Sequence, residues 1–250
     1  MHSASVGFHC PECAKTGAQK VQRGIARSSR GAPTVVYVLI AINVVIFGLE
    51  LATGSGSGIS GGIADDGYLY GPAVEFSNEY YRIVSSGFLH GSILHLGMNM
   101  YGLYVLGPVV LALFGRARFL AIYAVALLGG AAAVLLFAWS QPTLGASGAL
   151  LGLAGAIAGA FTASGRPLNQ IPMLQIIAIN LALPLFIPTI SFWGHFGGIA
   201  AGFAAGFVAQ RFAQVRSKNQ ALEFACYVGI GLVCLALALY GAHSPIGGIS

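Results

Sequence analysis

Charge is scarce in this chain: Asp, Glu, Lys and Arg make up 8% of its 250 residues, hydrophobic residues make up 56%, and mean hydropathy is +0.80. A soluble domain would have nothing to solvate its surface, so a soluble enzyme is excluded. Residues 1–33 are polar and lack an apolar h-region, so no cleavable leader is expected, and the first apolar stretch should insert and stay. Cysteine is limited to four residues. Cys226 and Cys234 fall in the last apolar stretch, where they read as small apolar side chains and not as a disulfide.

Long apolar runs are what the chain has in abundance. Seven of them, at roughly 34 to 53, 93 to 114, 119 to 138, 145 to 163, 171 to 188, 192 to 211 and 222 to 241, approach the ~20 residues of a spanning helix. The sequence therefore predicts an all-α polytopic membrane protein. The fifth run is weakest, because it carries Gln175, Asn180 and Pro184. Positive residues near membrane ends are retained in the cytoplasm. With the N-terminus inside, eleven of the twelve Lys and Arg residues lie inside and Arg82 alone lies outside. The connection from 54 to 92 carries Asp65, Asp66, Glu75 and Glu79 instead. The expected topology is N-terminus in, C-terminus out. The net charge of +5 then reflects this sorting and contact with anionic lipid, and not nucleic-acid binding.

In that topology helices two, four and six all run from outside to inside, which places His95, Asn99, Ser147 and His195 at a common depth near the outer surface. Ionisable groups inside a membrane are functional candidates. A serine hydroxyl attacks a carbonyl when a positioned base takes its proton, and a neutral imidazole suits that role near pH 7. Ser147 and His195 are the candidate nucleophile and base. Asn99 lies one turn below His95 on the same face, so both side chains can donate to one developing oxyanion. Helices two to six contain no Asp or Glu, and Glu50 and Glu223 belong to helices one and seven, so a Ser-His dyad is expected and not a triad. Close approach is supplied by glycine. Gly194, Gly198, Gly202 and Gly206 form one ridge, and Gly148, Gly152, Gly155 and Gly159 another. Such ridges can serve packing alone, but His195 follows one ridge glycine and Ser147 precedes another.

Three segments, Gly145-Ala146-Ser147-Gly148-Ala149, His95-Leu96-Gly97-Met98-Asn99 and Gly194-His195-Phe196-Gly197-Gly198, resemble in order and placement the signature segments of the rhomboid intramembrane serine proteases. The resemblance covers about residues 35 to 211. It implies a rhomboid-like six-helix bundle plus a seventh C-terminal transmembrane helix. The implied domains are a cytoplasmic basic tail over 1–33, a catalytic core over 34–211 with its outer loop at 54–92, and a linker, seventh helix and short outer tail over 212–250. It further implies Ser147 as nucleophile, His195 as base, and His95, Asn99 and the Ser147 N–H as oxyanion donors. Glu79-Tyr80-Tyr81-Arg82, with His90 eight residues after the arginine, resembles the family's Trp-Arg element, although Tyr81 stands where Trp is usual. Arg82 and His90 read as loop anchors. Leu151 stands where relatives often carry an aromatic ring against the catalytic histidine, so the imidazole is expected to be held differently here.

Other readings of the same residues are available. Gly145 to Ala149 resembles a nucleophile elbow, but Ala149 breaks the pattern and no strand precedes it. His95 could be a structural histidine or half of a metal site. A transporter or channel could line a polar path with Asn99, Asn180, His95 and His195, but few charges and no inverted repeat accompany them. A catalytically silent rhomboid-like binding protein is the remaining alternative. In the tail, Cys10-Pro11-Glu12-Cys13, with His2 and His9 nearby, has the spacing of half a zinc ribbon, while a closed site needs four ligands. A reduced tail without zinc is the preferred reading, and no cofactor is expected elsewhere. The expected setting is a bacterial plasma membrane, and the expected partners are lipid and single-pass transmembrane substrates. Those would be cut near the outer end of a helix weakened by Gly, Pro or polar residues.

Overall fold

The computed structural model describes residues 33–54, 61–171, 173–215, 219–244 and 246, and the backbone at 2–3 and 8–9. Two compact units are present, Met1–Arg30 and Gly31–Ser250. In the first, β1 (His2–Ser3) pairs antiparallel with β2 (Phe8–His9). Cys10 and Cys13, the candidate zinc ligands, lie outside the described residues.

The second unit is built from helices. α1 (Thr34–Ala52) is followed by three short helices of the 54–92 connection, α2 (Gly62–Gly67), α3 (Gly71–Phe76) and α4 (Arg82–Ser85). Then come α5 (Ile93–Phe114), α6 (Arg116–Phe137), α7 (Ser147–Ala163), α8 (Leu174–Ala182), α9 (Phe192–Gln214) and α10 (Gln220–His243). Among the described residues, five of these helices, α1, α5, α6, α9 and α10, are long and apolar enough to cross a membrane, and α7 and α8 are shorter apolar helices. The seven apolar runs thus appear as helices: the third begins three residues earlier than read, at Arg116, the sixth runs on to Gln214, the seventh extends two residues at each end, and the fourth and fifth are shorter than read. α7 starts at Ser147 because Gly145 sits at φ +125°, outside any helix. The fifth run is α-helical only over α8 and ends in a 3-10 turn at Leu183–Leu185. Pro184 has no N–H for the ladder, and its ring crowds the carbonyl four residues back.

α7 occupies the centre, and most of its residues from Ala149 to Ala160 are buried. Its contact with α9 is backbone on backbone. A Cβ at Gly198, Gly202 or Gly206 would overlap the main chain of Gly148, Gly152 or Ala156, respectively. α6 joins the same interface, since a Cβ at Gly130 would meet the Gly194 carbonyl oxygen at 2.9 Å. Small residues in all three helices let the polar main chains pack at van der Waals distance, which is how helices associate where lipid removes the hydrophobic drive.

α10 lays a single stripe, Glu223, Tyr227, Gly231, Cys234, Ala238, Gly241 and Ala242, inward. Both of its ends carry polar bonds. At one end Arg118 at the start of α6 donates to both oxygens of the buried Glu223 at 2.5 and 2.7 Å, and the Tyr227 hydroxyl donates to the same carboxylate at 2.6 Å. At the other, Trp139 Nε1 donates to the Ala242 carbonyl at 2.8 Å. Cys226 and Cys234 are both free thiols.

Candidate active site

Three helices begin at one end of the bundle, and each start is fixed locally. Ser92 caps α5 by accepting from the His95 N–H at 3.1 Å, and Ser191 caps α9 by accepting from the Gly194 N–H at 3.1 Å. Ser147 is the first residue of α7, where a main-chain N–H has no partner in the helical ladder. Gly145, which precedes it, donates its N–H to the Ser86 carbonyl at 2.9 Å. The backbone here must be glycine for a second reason, because a Cβ would lie 2.7 and 2.8 Å from Cε1 and Nε2 of His95 and 3.7 Å from Ser147 Oγ. His95 and Ser147 therefore face the same small space.

The geometry at its centre is specific. His195 Nε2 lies 2.9 Å from Ser147 Oγ, across the glycine-packed interface of α7 and α9. Its Nδ1 lies 3.1 Å from the carbonyl oxygen of Asn180 in α8. A carbonyl can only accept, so the neutral ring carries its proton on Nδ1, and Nε2 is left to accept from the serine hydroxyl. The imidazole is 5% exposed. Asn99 is buried and gives one amide hydrogen to the His95 carbonyl at 3.0 Å, which leaves the second hydrogen of its amide for another acceptor. Leu151, one turn below Ser147, is buried and presents no ring.

The 54–92 connection is tied beside this space. The guanidinium of Arg82 pairs with Glu79, donates to the Asp65 and Tyr68 carbonyls at 2.7 and 2.9 Å, and lies over the Tyr68 ring. A bridge between Leu69 and Thr143 joins the loop to the connection that leads into α7. His90 is wholly buried, and its main-chain N–H is shared by the two carboxylate oxygens of Glu50 at 3.1 and 3.2 Å. Its ring packs edge-on against His95, with centroids 5.1 Å apart. Burial pushes the His90 imidazole down to about 4, and neighbouring His95 adds to this.

Sequence patterns missed several of these contacts. The Asn180 carbonyl is a main-chain group with no residue signature of its own. The Glu50 contact joins residues 40 apart. The Ser92 and Ser191 caps were within reach, since each serine stands three residues before the donor it caps.

A family profile for the Rhomboid domain matches residues 77–212, a span that contains Arg82, His90, His95, Asn99, Ser147 and His195. The chain belongs to the rhomboid family. Among its relatives, the Rhomboid protease GluP of Bacillus subtilis is 30% identical to this rhomboid over 222 residues, which are 86% of this chain and 42% of that protein. RHOMBOID-like protein 6, mitochondrial, of Arabidopsis thaliana is 36% identical over 127 residues, 49% of this chain and 41% of that protein. Inactive RHOMBOID-like protein 8 of the same plant is 30% identical over 131 residues, 50% of this chain and 37% of that protein. This rhomboid thus spans about two fifths of the length of these relatives. Family membership and five helices of spanning length make it an integral multi-pass membrane protein. Membership connects it to intramembrane proteolysis in general, and a relative named inactive makes the individual site the deciding matter. Among the described residues no group of three or more His, Cys, Asp or Glu is placed to hold a metal ion.

Proposed function

We propose that this rhomboid is an intramembrane serine endopeptidase that works through a Ser147–His195 dyad. The observation that carries this reading is the 2.9 Å contact between Ser147 Oγ and His195 Nε2, with Nδ1 of the same ring 3.1 Å from a carbonyl that can only accept. As Oγ attacks the scissile carbonyl, its proton passes to Nε2, and the imidazolium then returns that proton to the leaving amine. The oxyanion forms near the Ser147 N–H at the start of α7, with His95 and the second Asn99 amide hydrogen as its further donors. One such donor is typically worth about 3 kcal/mol in the transition state. Water then hydrolyses the acyl-enzyme and restores the hydroxyl. Apart from substrate and water, every group in these steps is a side chain or main-chain atom of the chain itself, so this mechanism calls on no cofactor.

The substrate is a membrane-anchored protein with a single spanning helix. A helix hides its own peptide bonds in its hydrogen-bond ladder, so cleavage favours segments that unwind readily, with Gly or Pro near the outer end. The core over 34–211 carries the chemistry, the N-terminus faces the cytoplasm, the C-terminus faces out, and the host membrane is a bacterial plasma membrane. Arg82 and His90 act as loop anchors, and Cys10 and Cys13 of the tail stay reduced and without zinc.

Purified protein in liposomes is tested on a single-pass substrate carrying a Gly-Ala break at its outer end, beside Ser147→Ala and His195→Ala. Cleavage that both substitutions abolish supports the dyad. An intact substrate, with a fluorophosphonate probe failing to label Ser147, moves the reading to a silent rhomboid-like binding protein.

A further inference from the structure

α8 is the least embedded of the apolar helices. None of its residues is buried, and Leu185 and Phe186 just beyond it are about 80% exposed. Its main chain nonetheless reaches the candidate base, through the 3.1 Å contact from His195 Nδ1 to the Asn180 carbonyl. In a continuous α-helix that carbonyl accepts from the N–H four residues ahead. Four residues ahead of Asn180 stands Pro184, which has no N–H to give.

We infer that Pro184 keeps the Asn180 carbonyl open as the acceptor for His195 Nδ1–H, so that this main-chain group positions the base in place of a triad carboxylate. The inference rests on the dyad reading above. Three observations converge on it. The neutral ring must carry one proton, and only the Nδ1 tautomer leaves Nε2 free to accept from Ser147. Among the described residues the ring nitrogens of His195 bond to Ser147 and Asn180, and neither partner is a carboxylate. The position one turn below Ser147 is Leu151, which has no ring to stack on the imidazole. The ring is thus held from two sides, by α7 through a hydroxyl and by α8 through a carbonyl.

A neutral carbonyl fixes the tautomer and the ring plane but gives the imidazolium less electrostatic support than a carboxylate. It also ties the base to the most weakly held helix of the bundle. When α8 moves away from α9, the tautomer is released, and proton transfer from Ser147 loses its direction. Asn180 and Pro184 are positioning residues, since neither touches the reacting atoms.

Two variants separate this role from mere helix geometry. Pro184→Ala supplies an N–H that competes for the carbonyl. Replacing Leu181 by its α-hydroxy-acid analogue turns the Asn180 carbonyl into an ester, a weaker acceptor, and leaves Pro184 and all side chains in place; it also removes the Leu181 N–H from the helix ladder, a loss that the same replacement at Ile179 reproduces without touching the Asn180 carbonyl. Both are assayed on the same single-pass substrate, with 15N spectra of histidine-labelled protein as a second readout. The expected result is a fall in kcat of about tenfold or more with KM unchanged, as for loss of one orienting hydrogen bond, and loss of the His195 signals of an Nδ1-protonated ring. If Ser147→Ala or His195→Ala still cleaves, the dyad itself fails. If both are dead while the ester variant keeps kcat within about twofold and the same tautomer, the inference alone is overturned, whatever Pro184→Ala does.

Discussion

Gly202 offers the sharpest test of how the bundle sets the site. A Cβ there would lie 2.6 Å from both the carbonyl carbon and the Cα of Gly152. Carbon atoms pack comfortably at about 3.5 Å, so Gly202→Ala forces α7 and α9 apart by roughly 1 Å. The obstructing atoms are backbone, and no side chain can rotate to relieve them. Ser147 and His195 sit on the same two helices, one to two turns away, and their 2.9 Å contact opens toward about 4 Å, beyond hydrogen-bond range. A displacement of about 1 Å at reacting groups can cost about a hundredfold in rate, and overpacking typically costs about 1–3 kcal/mol of stability. The assay is initial cleavage rate of a single-pass substrate in liposomes, paired with thermal unfolding. Gly229→Ala serves as control, because a Cβ there meets nothing within 4 Å. Wild-type rate and unfolding temperature in Gly202→Ala would show that the interface has slack, and the account of glycine as the spacer that sets the dyad would be wrong.

Other outcomes follow from the loop and from α10. Arg118→Ala leaves the Glu223 carboxylate buried with Tyr227 as its remaining donor, and should lower stability by about 3 kcal/mol; Glu223→Gln in the same background should restore part of the loss in thermal unfolding. His90 titrates at about 4 in the fold against 6.5 for a free imidazole, so the fold keeps its full stability above pH 6.5. It loses roughly 3 kcal/mol as pH falls from 6.5 to 4, where only the unfolded chain takes the proton. His90→Asn should flatten that part of the stability curve, and an unchanged acid slope would assign it to other groups. In a background with the four native cysteines replaced by serine, Ile246→Cys should react with an impermeant maleimide added outside sealed cells, and labelling only after lysis would reverse the topology.

Legibility differed between the bundle and its fine detail. Apart from the fifth, the apolar runs carry few polar breaks, so their helices could be read directly, and the four-residue glycine spacing of Gly198, Gly202 and Gly206 pointed to the α7–α9 contact. The 54–92 connection was less readable, because α2, α3 and α4 are held by tertiary bonds such as Arg82 to the Tyr68 carbonyl, and not by periodic burial. The end of the fifth run was overextended for a local reason, since apolar residues continue past Pro184 while the backbone ladder does not. The pairing of Ser147 with His195 was legible because both are side chains with known chemistry. The group on the far side of the imidazole was not, because a main-chain carbonyl leaves no letter in the sequence.

The bonds at the two ends of α10 also set a schedule for synthesis. Arg118 and Glu223 are 105 residues apart in the chain, and Trp139 and Ala242 are 103 apart. At ribosomal speeds of about 5 to 20 residues per second, α6 waits roughly 5 to 20 s before its partner has been made. During that interval the Arg118 charge and the Trp139 indole must be satisfied by water, lipid headgroups or the insertion machinery. Once made, α10 closes both ends within a few seconds of each other, so a chain truncated before α10 would persist as a half-satisfied substrate for quality control.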